Sequence, residues 1–386
     1  MHLIGEVRSG RRVVGLEITA MSGPYRRLIV AGLLALMALS PFQPFGWMSA
    51  NDELSAAGRT ISPPIASESG QKAVIFGVYP DAGNGQVGNV SSPEHAQVID
   101  AIQQLRGNQP FDVHLYTAWS WHNDADLDAK INAYTAAGLA ITLTIKYSPP
   151  VGRDGDVKGY AKFVQQIVRR YGSNAAVQRY VIGNEANVTW GDPSSSDGPF
   201  KNASRAVVDG VAAASQQLAL MKSPAQIGTS MAIIEPGHDA RFLQSLATMG
   251  GRQFVRSVSF IGINVYPGIW PVGSGDPYAD MVTHLRTTRS AMSRAGFASG
   301  VSIAVLENGF PTADDADQSA RLTPMVKAVC SVAGEVGVSS YSWFGLIDSD
   351  SWSDNPYAHF RLLRSDLSKR PSFDLYKEAV ATACPS

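Results

Sequence analysis

Short apolar runs rich in β-branched and aromatic residues recur along the chain, and longer stretches of helical period separate them. The first four are AVIFGVY (Ala73–Tyr79), FDVHLYTAW (Phe111–Trp119), AITLTIKY (Ala140–Tyr147) and YVIGN (Tyr180–Asn184). QIGTSMAI (Gln226–Ile233), VSFIGINVY (Val258–Tyr266), VSIAVLE (Val301–Glu307) and SSYSWFG (Ser339–Gly345) complete the series. Runs this short, bounded by turn residues, predict buried strands. The intervening segments carry helix signals. Ser92-Pro93-Glu94 is an N-cap with Pro at the first helical position, Asp124 suits a second cap, and Gly138, Gly172 and Gly296 stand where C-terminal glycines belong. Eight strands alternating with helices predict a closed (β/α)8 barrel over 73–386 with the helices outside. A doubly wound open sheet is the rival. The eight repeats count against it, as does the lack of a Gly-rich phosphate loop after the first strand.

The N-terminal region reads differently. Arg26 and Arg27 precede an apolar run from Leu28 to Leu39, too short for a membrane span and suited to a signal-peptide core. Ser49 and Ala50 are small enough for cleavage, but Met48 suits it poorly, so 1–50 is expected to be an export signal or a retained membrane anchor. Met21 is an alternative start. Residues 51–72 are small and polar with a Pro pair, which predicts a linker. In an exported protein the two cysteines, Cys330 and Cys384, are candidates for one disulfide, with two unpaired thiols as the alternative.

Composition adds little beyond exclusions. The 386 residues are 45% hydrophobic with a formal net charge of −1, so no basic field argues for nucleic acid. A monomer without cofactor or metal is expected. Asp348–Asp354 resembles part of a calcium loop but lacks its central Gly and terminal Glu, and is expected to be a solvated loop near the site. Glu235–Asp239 reads as the start of a helix rather than a metal pair. Asn89, Asn187 and Asn202 begin glycosylation sequons by pattern alone. No Gly-x-Ser-x-Gly elbow is present.

In a barrel, chemistry belongs at the C-terminal strand ends. Those ends are Tyr79, Trp119, Tyr147, Asn184-Glu185, Met231, Asn264 with Tyr266, Glu307-Asn308 and Trp343. Two carboxylates, Glu185 and Glu307, therefore face one mouth from the fourth and seventh strands. Two carboxylates among amides and aromatics suit glycoside hydrolysis, in which one protonates the leaving oxygen and the other attacks the anomeric carbon or activates water. An oligo- or polysaccharide is then the expected partner. Asn184, Asn264, Tyr266, Trp343, Trp119 and Tyr79 are the candidate sugar contacts. Trp121, Trp190, Trp270 and Trp352 are further stacking candidates near strand-to-helix loops.

The chain resembles glycoside hydrolase clan A over about Ala73 to Ala383. Asn184-Glu185 matches the clan's Asn-Glu pair, Glu307 its strand-seven glutamate, Tyr266 its strand-six tyrosine and Trp343 its strand-eight tryptophan. The strings VIGNEA, NVYP and LENGFPT are also similar to family 17 β-1,3-glucanases, with Phe310 where those have Trp. Family 5 enzymes usually carry an Arg on strand two, and this strand has none. The resemblance implies a retaining mechanism with Glu185 as acid/base and Glu307 as nucleophile. Each residue also has a plainer role: loop carboxylate for Glu185, turn cap for Glu307, loop support for Asn184, packing for Tyr266 and Trp343. A transglycosylase with the same residues and a non-catalytic carbohydrate-binding barrel remain as alternatives.

Overall fold

A computed structural model describes residues 74–81, 95–235, 237–269, 273–382 and 384. The expected export segment and linker, the Asn89 sequon, the Ser92-Pro93-Glu94 cap and Trp270 lie outside the described residues.

Eight parallel strands close into a barrel in sequence order, with β8 paired to β1. They are β1 (Ile75–Val78), β2 (Phe111–Ala118), β3 (Ala140–Lys146), β4 (Val177–Ile182), β5 (Gln226–Ala232), β6 (Phe260–Asn264), β7 (Ser302–Asn308) and β8 (Val338–Trp343). A helix follows each: α1 (His95–Arg106), α2 (Asp124–Ala136), α3 (Val157–Tyr171), α4 (Ala203–Met221), α5 (His238–Ser257), α6 (Pro277–Arg294), α7 (Asp315–Val336) and α8 (Pro371–Thr382).

Local chemistry sets the helix ends. The Asn123 side chain, not Asp124, caps α2 by accepting from Ala125 N and Asp126 N. Asn123 has the extended backbone that a cap requires, which leaves Asp124 in the first turn against the positive end of the dipole. Gly138 and Gly296 lie just beyond α2 and α6 in the left-handed region, at φ 69° and 87°. Gly172 differs: its φ is −66°, and it is glycine because a Cβ there would meet Val168 O at 2.6 Å.

Strand alternation divides the core in two. Outward residues such as Val113, Leu115, Ile141, Leu143, Ile145 and Ile263 join the helices in one large apolar cluster. A small second cluster, Val181, Phe260, Ala304 and Leu306, plugs the barrel interior. Glycines make room for it. A Cβ on Gly228 would lie 2.5 Å from the Phe260 ring, and one on Gly262 would lie 2.3 Å from Leu306 Cδ1. His114 fills the centre, with Nδ1 bonded to Leu306 O (3.2 Å) and Nε2 to Thr144 Oγ1 (2.7 Å). Because a carbonyl only accepts, Nδ1 carries the hydrogen, and burial holds the ring neutral with its pKa lowered to about 4.

Cys330 on α7 and Cys384 beyond α8 form a disulfide, with Cα atoms 4.7 Å apart and a sequence separation of 54. Closing a loop of that size stabilises the fold by roughly 2–4 kcal/mol. A Cys330→Ser/Cys384→Ser double variant should show that loss in urea-unfolding free energy. Equal stability of oxidised wild type and variant would contradict it.

Candidate active site

The end of β4 is shaped for one turn. Gly183 has φ 77°, and a Cβ there would meet Val207 Cγ2 at 2.7 Å, so no other residue fits. Glu185 follows at φ 52°, a strained setting for a residue with a side chain, held by its surroundings. Its N–H donates to Ser230 Oγ at 3.2 Å. One oxygen of Asp197, fully buried, accepts both Asn184 N (2.6 Å) and Tyr147 N (2.7 Å). Lys146 Nζ donates to Ser194 O (2.7 Å) and Ser195 O (3.0 Å), and Asn184 Nδ2 also donates to Ser195 O (2.9 Å). The loop after β4 is thus tied to the ends of β3 and β4 together.

Glu307 reaches the mouth by a different device. Inward Ala304 and outward Val305 alternate normally, and Leu306 again points inward. Simple alternation would turn Glu307 outward. The pairing with β6 and β8 slips here, Val305 facing Tyr341 and Asn308 facing Trp343, so β7 carries one extra residue. This bulge turns Leu306 and Glu307 to the same side. Asn308 then points outward, its Nδ2 donating to Val265 O at 2.6 Å and its Oδ1 accepting from Tyr341 OH at 2.6 Å.

The two carboxylates are both buried but differ in the donors they receive. The Tyr116 hydroxyl donates to Glu307 Oε1, and the Tyr266 hydroxyl donates to Oε2 at 2.6 Å. Burial raises the Glu307 pKa above the ordinary value, and these two donors and the Lys146 charge offset part of that rise. Glu185 has one amide donor, Asn264 Nδ2 at 2.8 Å. Burial first, then the Glu307 charge, push its pKa up to about 8. The Asn264 amide also favours the charged form of Glu307, so one side chain serves both acids. The pair is thus asymmetric: two phenol donors favour the negative charge on Glu307, and a proton shared by the pair is favoured on Glu185, which has one amide donor.

The remaining sequence candidates separate. Asn264 is buried between the acids. Asn184 is buried and spends its amide on protein: besides Ser195 O, its Oδ1 accepts from Ser230 Oγ (3.1 Å) and Asn264 Nδ2 (3.3 Å). These bonds make it a support of the site, and they use one of its two Nδ2 hydrogens. Tyr79 is buried in the mouth wall, stacked on Phe344 at 5.0 Å and edge-on to Tyr116 at 5.4 Å. Trp343 is not at the mouth. It is fully buried and faces outward against Tyr376 of α8, with Nε1 donating to Phe360 O at 3.0 Å. Strand alternation gives the inward place to its neighbour Phe344, which meets Tyr266 at 6.5 Å. Trp119 is half-buried beneath the Arg153 guanidinium, 4.4 Å away. Phe310 lies under the Arg321 guanidinium at 3.8 Å.

Tyr116, Lys146, Asp197 and Phe344 escaped the sequence reading. Tyr116 shares the inward alternation of Asp112 and His114, and Lys146 is a lone charge ending an apolar strand, so both carried a signal. Asp348 is not solvated. It is buried, with Oδ2 on Arg370 Nη2 (2.6 Å) and Oδ1 accepting Arg361 N (3.1 Å), because it fastens the long loop after β8. The Asn187 amide is buried and exchanges two hydrogen bonds with the Ala232 backbone. Among the described residues, no group of three or more His, Cys, Asp or Glu side chains could hold a metal ion, and no helix is long and apolar enough to cross a membrane.

No protein-family model and no curated protein matches the chain. Solved structures do match. A family 39 glycoside hydrolase from Bacteroides cellulosilyticus WH2 aligns with TM-score 0.58 at 14% identity, over 81% of this chain and 64% of that one. A GH5_18 protein from Bifidobacterium longum subsp. infantis aligns with TM-score 0.57 at 14% identity, over 81% and 79%. A β-glucosidase from Exiguobacterium marinum aligns with TM-score 0.54 at 14% identity, over 81% and 99%. This chain thus spans less than two thirds of the first protein and nearly all of the third. What it shares with them is the fold, the closed eight-stranded barrel.

The Glu185 environment makes stability depend on pH. Its pKa rises on folding from an ordinary 4.5 to about 8, so the folded state binds the proton more tightly. That contribution is full below the unfolded value and is lost as pH rises through about 8. Between pH about 5 and 9, wild type should lose on the order of 2 kcal/mol more unfolding free energy than Glu185→Gln, allowing for the solvent at its outer edge. Parallel pH curves for the two proteins would refute the assignment.

Proposed function

We propose that the protein is a retaining glycosidase that cleaves a β-linked glycan. The observation that carries this reading is the asymmetry between two buried carboxylates at one barrel mouth: Tyr116 and Tyr266 both donate to Glu307, while Glu185 receives one amide from Asn264 and its pKa is pushed up to about 8. The fold shared with glycoside hydrolases and the sequence resemblance to clan A support it.

In the first step Glu307 attacks the anomeric carbon, and the bond from that carbon to the leaving oxygen breaks. Glu185 gives its proton to that oxygen. The negative charge of Glu307 is consumed in the new ester, so Glu185, now ionised, keeps the burial that raised its pKa but loses the like charge that added to it. It then takes a proton from water as the water attacks the anomeric carbon, and Glu307 leaves as a carboxylate. The two phenols that held Glu307 before attack are placed to receive it again. The sugar configuration is inverted twice and so retained. Asn264, bonded to Glu185, holds that carboxyl in place through both steps. The proposal includes export through the N-terminal segment and action as a monomer, and the Cys330–Cys384 bond suits an oxidising compartment.

A panel of aryl β-glycosides and soluble β-glucans, mannans and xylans identifies a substrate for wild type. On it, Glu307→Ala should lose about a thousandfold or more in kcat. Glu185→Ala should lose as much on natural glycosides but least on dinitrophenyl glycosides, whose leaving group needs no proton. Azide should restore Glu185→Ala with a β-glycosyl azide product and Glu307→Ala with an α-glycosyl azide. Near wild-type turnover by either variant on a natural glycan would reject the assignment.

A further inference from the structure

Among the described tryptophans, Trp190 and Trp352 are exposed, at 60% and 80% of their surface. Both lie on strand-to-helix loops at the mouth end, Trp190 after β4 and Trp352 after β8. In a ring of eight strands in sequence order, β4 and β8 are opposite each other. The two indoles therefore belong to loops from opposite strands, while Glu185 follows β4 and Glu307 lies in β7, next to β8. Of the other large exposed apolar side chains, Val151 and Tyr357 also lie on strand-to-helix loops and Tyr278 opens α6, whereas Leu220 and Met249 sit farther along helices; among these described residues, only the two tryptophans offer a wide flat indole face.

Burying a tryptophan removes about 150–250 Å² from water, so leaving two of them in solvent forgoes stabilisation that folding normally takes. Loose loops would explain that, but these loops are fastened. The first is held by Lys146, Asp197 and Asn184, and the Trp190 ring also meets His238 at 5.6 Å. In the second, Trp352 N donates to Asp350 Oδ1 (3.0 Å), Ser351 Oγ donates to Asp348 Oδ2 (2.9 Å) and His359 Nε2 bonds Ser353 O (2.7 Å). Arg370 closes the same loop from below, bonding Asp348 (2.6 Å) and Asp315 (2.8 Å). A flat apolar face on a rigid support is ready for a partner at little cost in ordering.

We infer that Trp190 and Trp352 are distal sugar platforms and that the substrate is a glycan chain lying across the mouth, cut at an internal bond. A pyranose presents a face of C–H groups that suits an indole, while its hydroxyls stay in water at the edge. A single sugar unit cannot stack on two rings carried by the loops of opposite strands. Platforms on both loops engage only a chain with sugars on each side of the scissile bond. This inference rests on the glycosidase reading.

The test compares Trp190→Ala, Trp352→Ala and the double variant with wild type, on a polysaccharide and on an aryl monoglycoside of the same sugar. The ratio of kcat/KM on the chain to that on the aryl glycoside should fall about tenfold in each single variant and further in the double. Thermal midpoints should be unchanged, because the removed rings are exposed. Early products from wild type should be oligosaccharides of mixed length. Gel retardation of the inactive Glu307→Gln protein by laminarin, barley β-glucan, glucomannan or xylan gives a readout independent of turnover, and the tryptophan variants should weaken it. Unchanged ratios and retardation in the variants would overturn the platforms and leave the glycosidase reading standing. So would a wild type that releases only monosaccharide and is retarded by no polymer. A wild type that cleaves no glycoside and is retarded by no polysaccharide would overturn both.

Discussion

Along a barrel strand, successive side chains point alternately to the axis and to the helices, and the mouth of this protein is built from obedience to that rule and one breach of it. Obedience brings Tyr116, Lys146, Asn264 and Phe344 to the axis and sends Trp343 outward to α8. The breach is the bulge in β7, which turns Leu306 and Glu307 inward in succession. Leu306 becomes part of the apolar plug, and Glu307 stands directly above it. Without the extra residue, Glu307 would point into the helix layer, where Asn308 now ties β7 to Tyr341 and Val265.

The contrast between the two acids follows from what surrounds each. Glu307 is deeply buried but receives two phenol hydroxyls, which favour its charge. Glu185 is turned by a strained backbone toward a charge of the same sign, with one amide for support. Lys146 supplies a positive charge near both while it fastens the loop after β4. Stabilising that loop and biasing the acids are thus two effects of one buried lysine, whose own pKa burial lowers and the neighbouring carboxylates partly restore.

The eight-fold strand rhythm was legible because each strand is a short apolar run between turn residues. Glu185 and Glu307 were legible because a carboxylate ending such a run is conspicuous. What the sequence concealed was direction. Trp343 and Phe344 are adjacent and both aromatic, and only the register of β8 decides which enters the barrel. The bulge at Glu307 was equally hidden, since it is a property of pairing with β6 and β8 rather than of β7 alone. Asp197 was unreadable for a third reason. It lies in a polar loop of serines and glycine, and its role comes from two backbone N–H groups contributed by separate strands.

The interior beneath the acids has a consequence for where protons travel. Phe260, Leu306 and Val181 form an apolar floor, and the His114 ring at its centre has both nitrogens engaged and resists protonation. No relay through that floor is offered by these side chains. The route that remains open past this floor is from above, through the same opening by which a ligand enters. An occupied mouth would seal the acid's proton in, so hydrogen exchange at Glu185 and occupancy of the cleft become one coupled event.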